Sequence, residues 1–231
     1  MRIKNIVRGR NSAPEPPGYS EERIPERTAR DGSFTYDGKR YNCHVVESLD
    51  RGRRVAYGHA SGSEGSRLFS ISDAGLEWSR IVDRPNSAAV ANDGTVAVAE
   101  QGANDTLSGH ISVIGSDGEE QSGQQFDRNI LNCVISEDGQ YVAVITRPPE
   151  GMISFFDVTR GERTAMYEVD DEDIDLLGFV RDSSNFLLYV SRSGRTDPYF
   201  ALDMDGSITW RSERYRDTQS FLSRIRNWRK S

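Results

Sequence analysis

The sequence predicts an all-β chain built from four copies of one antiparallel unit. Three observations carry that expectation. Four β-branched or aromatic runs of strand length recur at near-constant spacing, a turn dipeptide precedes each run, and a second turn recurs downstream of each.

The runs are Arg54–Gly58, Thr95–Ala99, Tyr141–Ile145 and Phe186–Val190. From Val55 to Val96, Val142 and Leu187 the spacings are 41, 46 and 45 residues. Val, Ile, Tyr and Phe suit a pleated surface buried on both faces. Asp93-Gly94 and Asp138-Gly139 are hairpin signals, with Arg51-Gly52 and Asp182-Ser183 as weaker equivalents.

An apolar segment precedes each turn: Cys43–Val46, Ala88–Ala91, Leu131–Ile135 and Leu176–Val180. A third strand follows each run, at Leu68–Ile71, Ile111–Ile114, Ile153–Phe156 and Tyr199–Leu202. A second turn then leads to a fourth, more polar strand: Leu76–Ile81, Glu119–Phe126, Arg163–Val169 and Ser207–Glu213. An isolated four-stranded meander leaves both faces wet, and radial stacking buries them. The predicted fold is therefore a β-propeller of four four-stranded blades, closed as a small ring or left partial, followed by a short C-terminal α-helix.

The expected organisation has three parts. Residues 1–32, with Pro14, Pro16, Pro17 and Pro25 among many charges, form a disordered or weakly ordered tail. Residues 33–215 form the propeller, in units of about 41–82, 86–127, 130–169 and 174–215. Residues 216–231 form a basic amphipathic helix. The segment Ser33–Arg40, with Asp37-Gly38 at its turn, is expected to supply a strand that pairs with the last unit and closes the ring.

Several motifs resemble those of known propellers. Tyr199-Phe200-Ala201-Leu202-Asp203, followed by Gly206 and Trp210, resembles the quinoprotein-like repeat, and Ser70–Trp78 is similar. Phe156-Asp157-Val158-Thr159-Arg160-Gly161 resembles the third-strand ending of WD40 and YVTN-type repeats. The Gly-His and Trp-Asp pairs of true WD40 repeats are missing. The resemblance implies a fold and brings no activity or cofactor site with it.

The net charge is −7 and is unevenly spread. Arg2, Lys4, Arg8 and Arg10 make the first ten residues +4, and the last sixteen are also +4, which leaves −15 on the body between. Only Lys4, Lys39 and Lys230 are lysine among 29 basic residues. That low-Lys, Arg-rich and acidic composition resembles a haloarchaeal proteome, and high genomic GC content alone would produce the same Arg bias. No apolar run reaches the roughly 20 residues of a membrane span, and no apolar segment follows the basic N-terminus as in a secretory signal, so a cytoplasmic location is expected. Two cysteines make no disulfide framework.

A site shared by the units would lie on the axis, where innermost strands meet. Counting back from the turns puts Cys43, Ala88, Cys133 and Leu177 in equivalent places, with the two cysteines facing each other across a four-fold ring as small buried hydrophobes. Asp170-Asp171-Glu172-Asp173 reads as a solvated acidic loop, because a linear run rarely converges enough oxygens on a cation. His59 and His110 are expected in loops between second and third strands, with no nucleophile or orienting carboxylate identified. No GxSxG, HExxH or P-loop pattern occurs. Neither a catalytic set, a cofactor nor a metal is expected.

The C-terminus offers the one expected interaction element. Phe221, Leu222, Ile225 and Trp228 lie on one helical face, and Arg224, Arg226, Arg229 and Lys230 crowd the last two turns. Phe221, Arg224, Ile225, Arg226, Trp228 and Arg229 are the candidate contacts. The expected function is a non-enzymatic scaffold or protein-interaction module with a protein partner, and a homo-oligomer if the ring is open. Two alternatives stay open. One is an enzyme, a hydrolase or a quinoprotein-like oxidoreductase, with its site on the axis. The other is a membrane- or nucleic-acid-associated factor acting only through its basic tails.

Overall fold

The computed structural model describes residues 16–18, 30–62, 65–102, 107–147, 151–169 and 173–215. Seventeen strands run through them. The first sheet holds β1 (Arg30–Tyr36), β2 (Lys39–Glu47), β3 (Arg53–Ala60), β4 (Ser66–Ser72) and β5 (Gly75–Val82). The second holds β6 (Pro85–Val90), β7 (Val96–Gln101), β8 (Gly109–Ile114) and β9 (Glu120–Phe126). The third holds β10 (Ile130–Ile135), β11 (Tyr141–Thr146), β12 (Met152–Asp157) and β13 (Glu162–Glu168). The fourth holds β14 (Ile174–Asp182), β15 (Asn185–Arg192), β16 (Pro198–Leu202) and β17 (Ile208–Arg211). Every sheet is an antiparallel meander in sequence order.

The alternation of side chains along the second strands builds the stack. Val55 and Tyr57 join Ala88, Val90, Val96 and Val98 between the first and second sheets. Ala97 and Ala99, from the opposite face of β7, join Cys133, Ile135, Val142 and Val144 between the second and third. Ala143 and Ile145 join Leu176, Phe179, Leu188 and Val190 between the third and fourth. Each fully buried Val, Leu or Ile contributes about 1.5–3 kcal/mol relative to exposure, so these three seams hold the fold together. The outermost strands β9 and β13 are largely exposed and polar, which suits a water-facing edge.

Among the described residues, packing runs from the first sheet to the second, third and fourth and the sheets do not close, so the propeller is partial. The expected closing strand is corrected accordingly. Residues 30–36 form β1, which pairs with β2 as a fifth strand of the first sheet. The cause is local. Asp37 and Gly38 have φ of 50° and 70°, the paired left-handed geometry of a two-residue hairpin, and that turn brings Tyr36 opposite Lys39. A tight hairpin closes a far shorter loop than pairing with the fourth sheet would.

Two sets of turns fasten sheet to sheet. On one rim, the Asp50 N–H donates to Asn92 Oδ1 at 3.1 Å and the Asn92 N–H to the Glu137 carbonyl at 2.9 Å. Arg181 then reaches back to Glu137 at 2.6 Å and Asp138 at 2.8 Å. On the outer strands, Trp78 of β5 lies under the Asp117-Gly118 turn of the second sheet. Its Nε1 donates to the Ser116 carbonyl at 3.1 Å, and a Cβ on Gly118 would stand 3.0 Å from its ring. Trp210 of β17 instead packs against Tyr189 on the outer face of the fourth sheet. The Tyr189 hydroxyl there donates to the Pro17 carbonyl at 2.5 Å, so residues 16–18 lie against the end of the stack.

Candidate functional site: the cavity on the axis

The first strands of the four units converge on a cavity of about 280 Å³. Val46, Glu47 and Tyr57 come from the first sheet, Asn86–Val90 from the second, Leu131–Ile135 from the third, and Asp175, Leu177, Gly178 and Ser193 from the fourth. The described part of β1 begins at Arg30, opposite Val45.

Backbone irregularities open the other walls. In each of β6, β10 and β14 one residue is skipped in the pairing with the next strand: Asn86, Leu131 and Leu177 respectively. A β-bulge turns its extra residue out of the regular alternation. All three extra residues line the cavity.

A chain of hydrogen bonds crosses the site. Ser87 Oγ donates to Asn132 Oδ1 at 2.7 Å, and Asn132 Nδ2 donates to Asp175 Oδ1 at 2.6 Å. Ser87 Oγ also accepts from the Cys133 N–H at 3.3 Å, and Asp175 Oδ1 from the Leu176 N–H at 2.8 Å. One polar relay thus links the second, third and fourth sheets. Asn86 Nδ2 donates to the Ile130 carbonyl at 2.7 Å and lies 3.4 Å from that of Leu131. The amide cannot be turned over, because its oxygen would then face those carbonyls. Its Oδ1 is buried and has no hydrogen-bond partner among the described residues.

The axis corrects the expected pairing of cysteines. Cys133 lines the cavity, but Cys43 does not. Cys43 lies opposite Gly58 and packs with Tyr41, Ala56 and Phe69 on the far face of the first sheet. In the matching turns the Ser48 and Ser136 N–H groups bond the Arg53 and Tyr141 carbonyls, so Val45, opposite Ala56, is the counterpart of Cys133, opposite Val144. Cys43 lies two residues farther from its turn than Cys133 does. Burial pushes the Cys43 thiol up to about 11, so it is protonated at neutral pH.

The histidines also sit differently from expectation. His59 lies in β3 and His110 in β8, within the ladders. His110 is opposite Glu100 and shares with it a second cavity of about 180 Å³ on the rim. Desolvation, the largest influence there, pushes the Glu100 carboxyl up, and its Oε1 accepts from the Asp83 N–H at 2.5 Å. Asp173 pairs with Arg192 at 3.7 Å, while the other three residues of the acidic run lie outside the described residues. So do the candidate contacts Phe221, Arg224, Ile225, Arg226, Trp228 and Arg229, the C-terminal helix expected over 216–231, and most of the expected N-terminal tail. Among the described residues, no three His, Cys, Asp or Glu side chains gather as a metal-ligand set. No helix among them is long and apolar enough to cross a membrane.

The bulges and the relay were not visible in the sequence. The polar residues Ser87, Asn132 and Asp175 sit inside segments that read as apolar strands, and that interruption is the signal that could have marked them.

No family model matches the chain, and no curated protein matches it. Solved structures do. The β-propeller domain of Myceliophteria thermophila Cps50 (Swd1) is 14% identical with a TM-score of 0.46, over 68% of this chain and 49% of that one. The hydrazine synthase of Kuenenia stuttgartiensis is 15% identical with a TM-score of 0.50, over 78% and 64%. The β-propeller domain of the Trilobed protease from Pyrococcus furiosus is 12% identical with a TM-score of 0.46, over 73% and 54%. This chain therefore spans about half to two thirds of the length of those structures. At such identities the likeness is one of fold alone.

Proposed function

We propose that this chain is a non-enzymatic binding module that takes its partner at the cavity on the axis. One observation supports the reading above others: β2, β6, β10 and β14, one strand from each of the four sheets and three of them bulged, contribute to a single concave site. Concave sites with a mostly apolar wall and a few fixed polar groups are where proteins hold ligands. The proposed partner is a protein segment that enters the mouth of the cavity while its flanks rest on the rim. A second copy of this chain that meets the open array is the homo-oligomeric form of the same reading.

The test fills the cavity. Leu131→Trp places a bulky group at the half-buried third-sheet bulge. The expected result is that a partner captured by the native chain is lost by this variant at unchanged thermal stability. Ala88→Leu serves as a second filling, should the first unfold. Undiminished capture by both folded variants overturns the axis as the site. Loss on deletion of residues 216–231 alone would assign binding to the C-terminal tail instead.

A further inference from the structure

Among the described residues, every sheet edge but one is broken by a bulge. The outer strands β5, β9, β13 and β17 each hold one residue skipped in the ladder: Glu77, Gln121, Thr164 and Thr209. The inner strands β6, β10 and β14 hold Asn86, Leu131 and Leu177 in the same way. Such bulges twist an edge and spoil it as a template for another strand. β1 is the remaining edge. It pairs with β2 without a break from Arg30 to Tyr36, and β2 is its one neighbour in the sheet order. Neither proline nor lysine interrupts it.

The ladder also fixes which main-chain groups of β1 face outward. The Ser48 N–H donates to the Arg53 carbonyl at 2.9 Å, so the even-numbered residues of β2 bond to β3 and the odd-numbered ones to β1. Their partners on β1 are Gly32, Phe34 and Tyr36. The N–H and carbonyl groups of Asp31, Ser33 and Thr35 therefore point away from the sheet. All three residues are exposed, and the Asp31 side chain is 91% exposed.

This edge is complementary to itself. Set antiparallel to a second copy about Ser33, it places Ser33 opposite the second copy's Ser33 and Asp31 opposite the second copy's Thr35. Each such pair has the phase that exchanges two main-chain bonds. On the same face, Arg40 of β2 lies opposite Thr35 and donates to Ser33 Oγ at 3.3 Å, so its guanidinium already leans across β1. In the paired form it meets the second copy's Asp31, and each copy supplies the acid for the other's base. On the opposite face, Phe34 stacks on Phe69 with ring centroids 5.9 Å apart. It comes to lie opposite the second copy's Gly32, where no side chain competes for the space. No like charges stand directly opposite each other.

We propose that β1 is a self-association edge: two copies of this chain join β1 to β1, antiparallel about Ser33, and their first sheets become one continuous sheet. A single strand pair buries little area, so the dimer is weak and reversible, with a dissociation constant of about 0.1–1 mM. This extends the homo-oligomeric form of the binding reading and makes no use of the axis cavity.

Sedimentation equilibrium of the full chain at constant salt, up to about 2 mM, tests this. The expected result is a monomer–dimer equilibrium. Asp31→Arg and Arg40→Glu each set like charges against each other across the pair and should each weaken association about tenfold. An equimolar mixture of the two restores opposite charges at both contacts and should return to within about threefold of the native chain. Ser33→Pro removes an outward N–H that β2 does not use and should abolish association. In the native chain, amide exchange at Asp31, Ser33 and Thr35 should slow as concentration rises, with Gly32, Phe34 and Tyr36 unchanged. A monomer at every concentration overturns the proposal. Dimerisation unmoved by the variants overturns it too, as does a mixture of the two charge variants that fails to recover. Leu131→Trp should leave the dimer intact, so the cavity reading and this one fail separately.

Discussion

Asn132 Nδ2 donates to Asp175 Oδ1 at 2.6 Å and so ties the third sheet to the fourth at the axis. The same amide accepts from Ser87, which ties the third sheet to the second. Asn132→Ala removes both ties and leaves the buried Ser87 hydroxyl without its acceptor. The expected loss is about 2 kcal/mol by urea denaturation. Ser87→Ala and Asn132→Ala combined should cost less than their separate effects added, since both delete one bond.

Gly58 is held by close backbone approach. A Cβ there would stand 1.9 Å from the Asn42 carbonyl oxygen and 2.7 Å from Cys43 Cα. Both obstacles are main chain of the neighbouring strand and cannot swing aside. Gly58→Ala should destabilise by about 3 kcal/mol, or shift the β2–β3 pairing, as read by thermal unfolding and by amide exchange in β2.

The turn at Asp50 predicts an acid sensitivity. Ser48 donates to Asp50 Oδ1 at 2.6 Å, the Gly52 N–H adds a second bond, and the carboxyl is held below its ordinary value of 3.8. A depressed carboxyl favours the folded state above its unfolded pKa, and the advantage is lost as pH falls through the lower folded value. Ser48→Ala removes the largest cause. The variant should be less stable than the native chain at pH 6 and should lose less of its stability on going to pH 2.5. Guanidinium midpoints at the two pH values measure this.

Both thiols are buried, Cys43 at 3% and Cys133 at 2% exposure. Iodoacetamide at pH 7.5 should modify neither at an appreciable rate until denaturant is added. A probe seated on the axis should slow modification of Cys133 in partly denaturing conditions and leave Cys43 unchanged, as read by peptide mass spectrometry.

Strand content and sheet order were legible in the sequence because period-two burial and turn dipeptides are local signals. Asp93-Gly94 and Asp138-Gly139 stand where hairpins occur. What was not legible depends on register. Aligning the units puts Cys43 level with Cys133, whereas the ladder places it two residues farther from its turn, away from the cavity wall. Asp37-Gly38 was seen as a turn, but whether β1 would return to β2 or cross to the fourth sheet is decided by geometry beyond composition. Asn86, Leu131 and Leu177 became wall residues through bulges that carry no residue signature.

The open stack has an energetic consequence of its own. Each sheet leans on its immediate neighbours, and the array behaves as a short one-dimensional lattice with two free boundaries. The second and third sheets each pack between two sheets, while among the described residues the first and fourth each pack against one. Fluctuations should therefore start at the boundaries and travel inward. Native-state hydrogen exchange should find the slowest amides in β7 and β11 and earlier opening in β3 and β15. Uniform protection across the four would show that the boundaries are tied down as firmly as the middle.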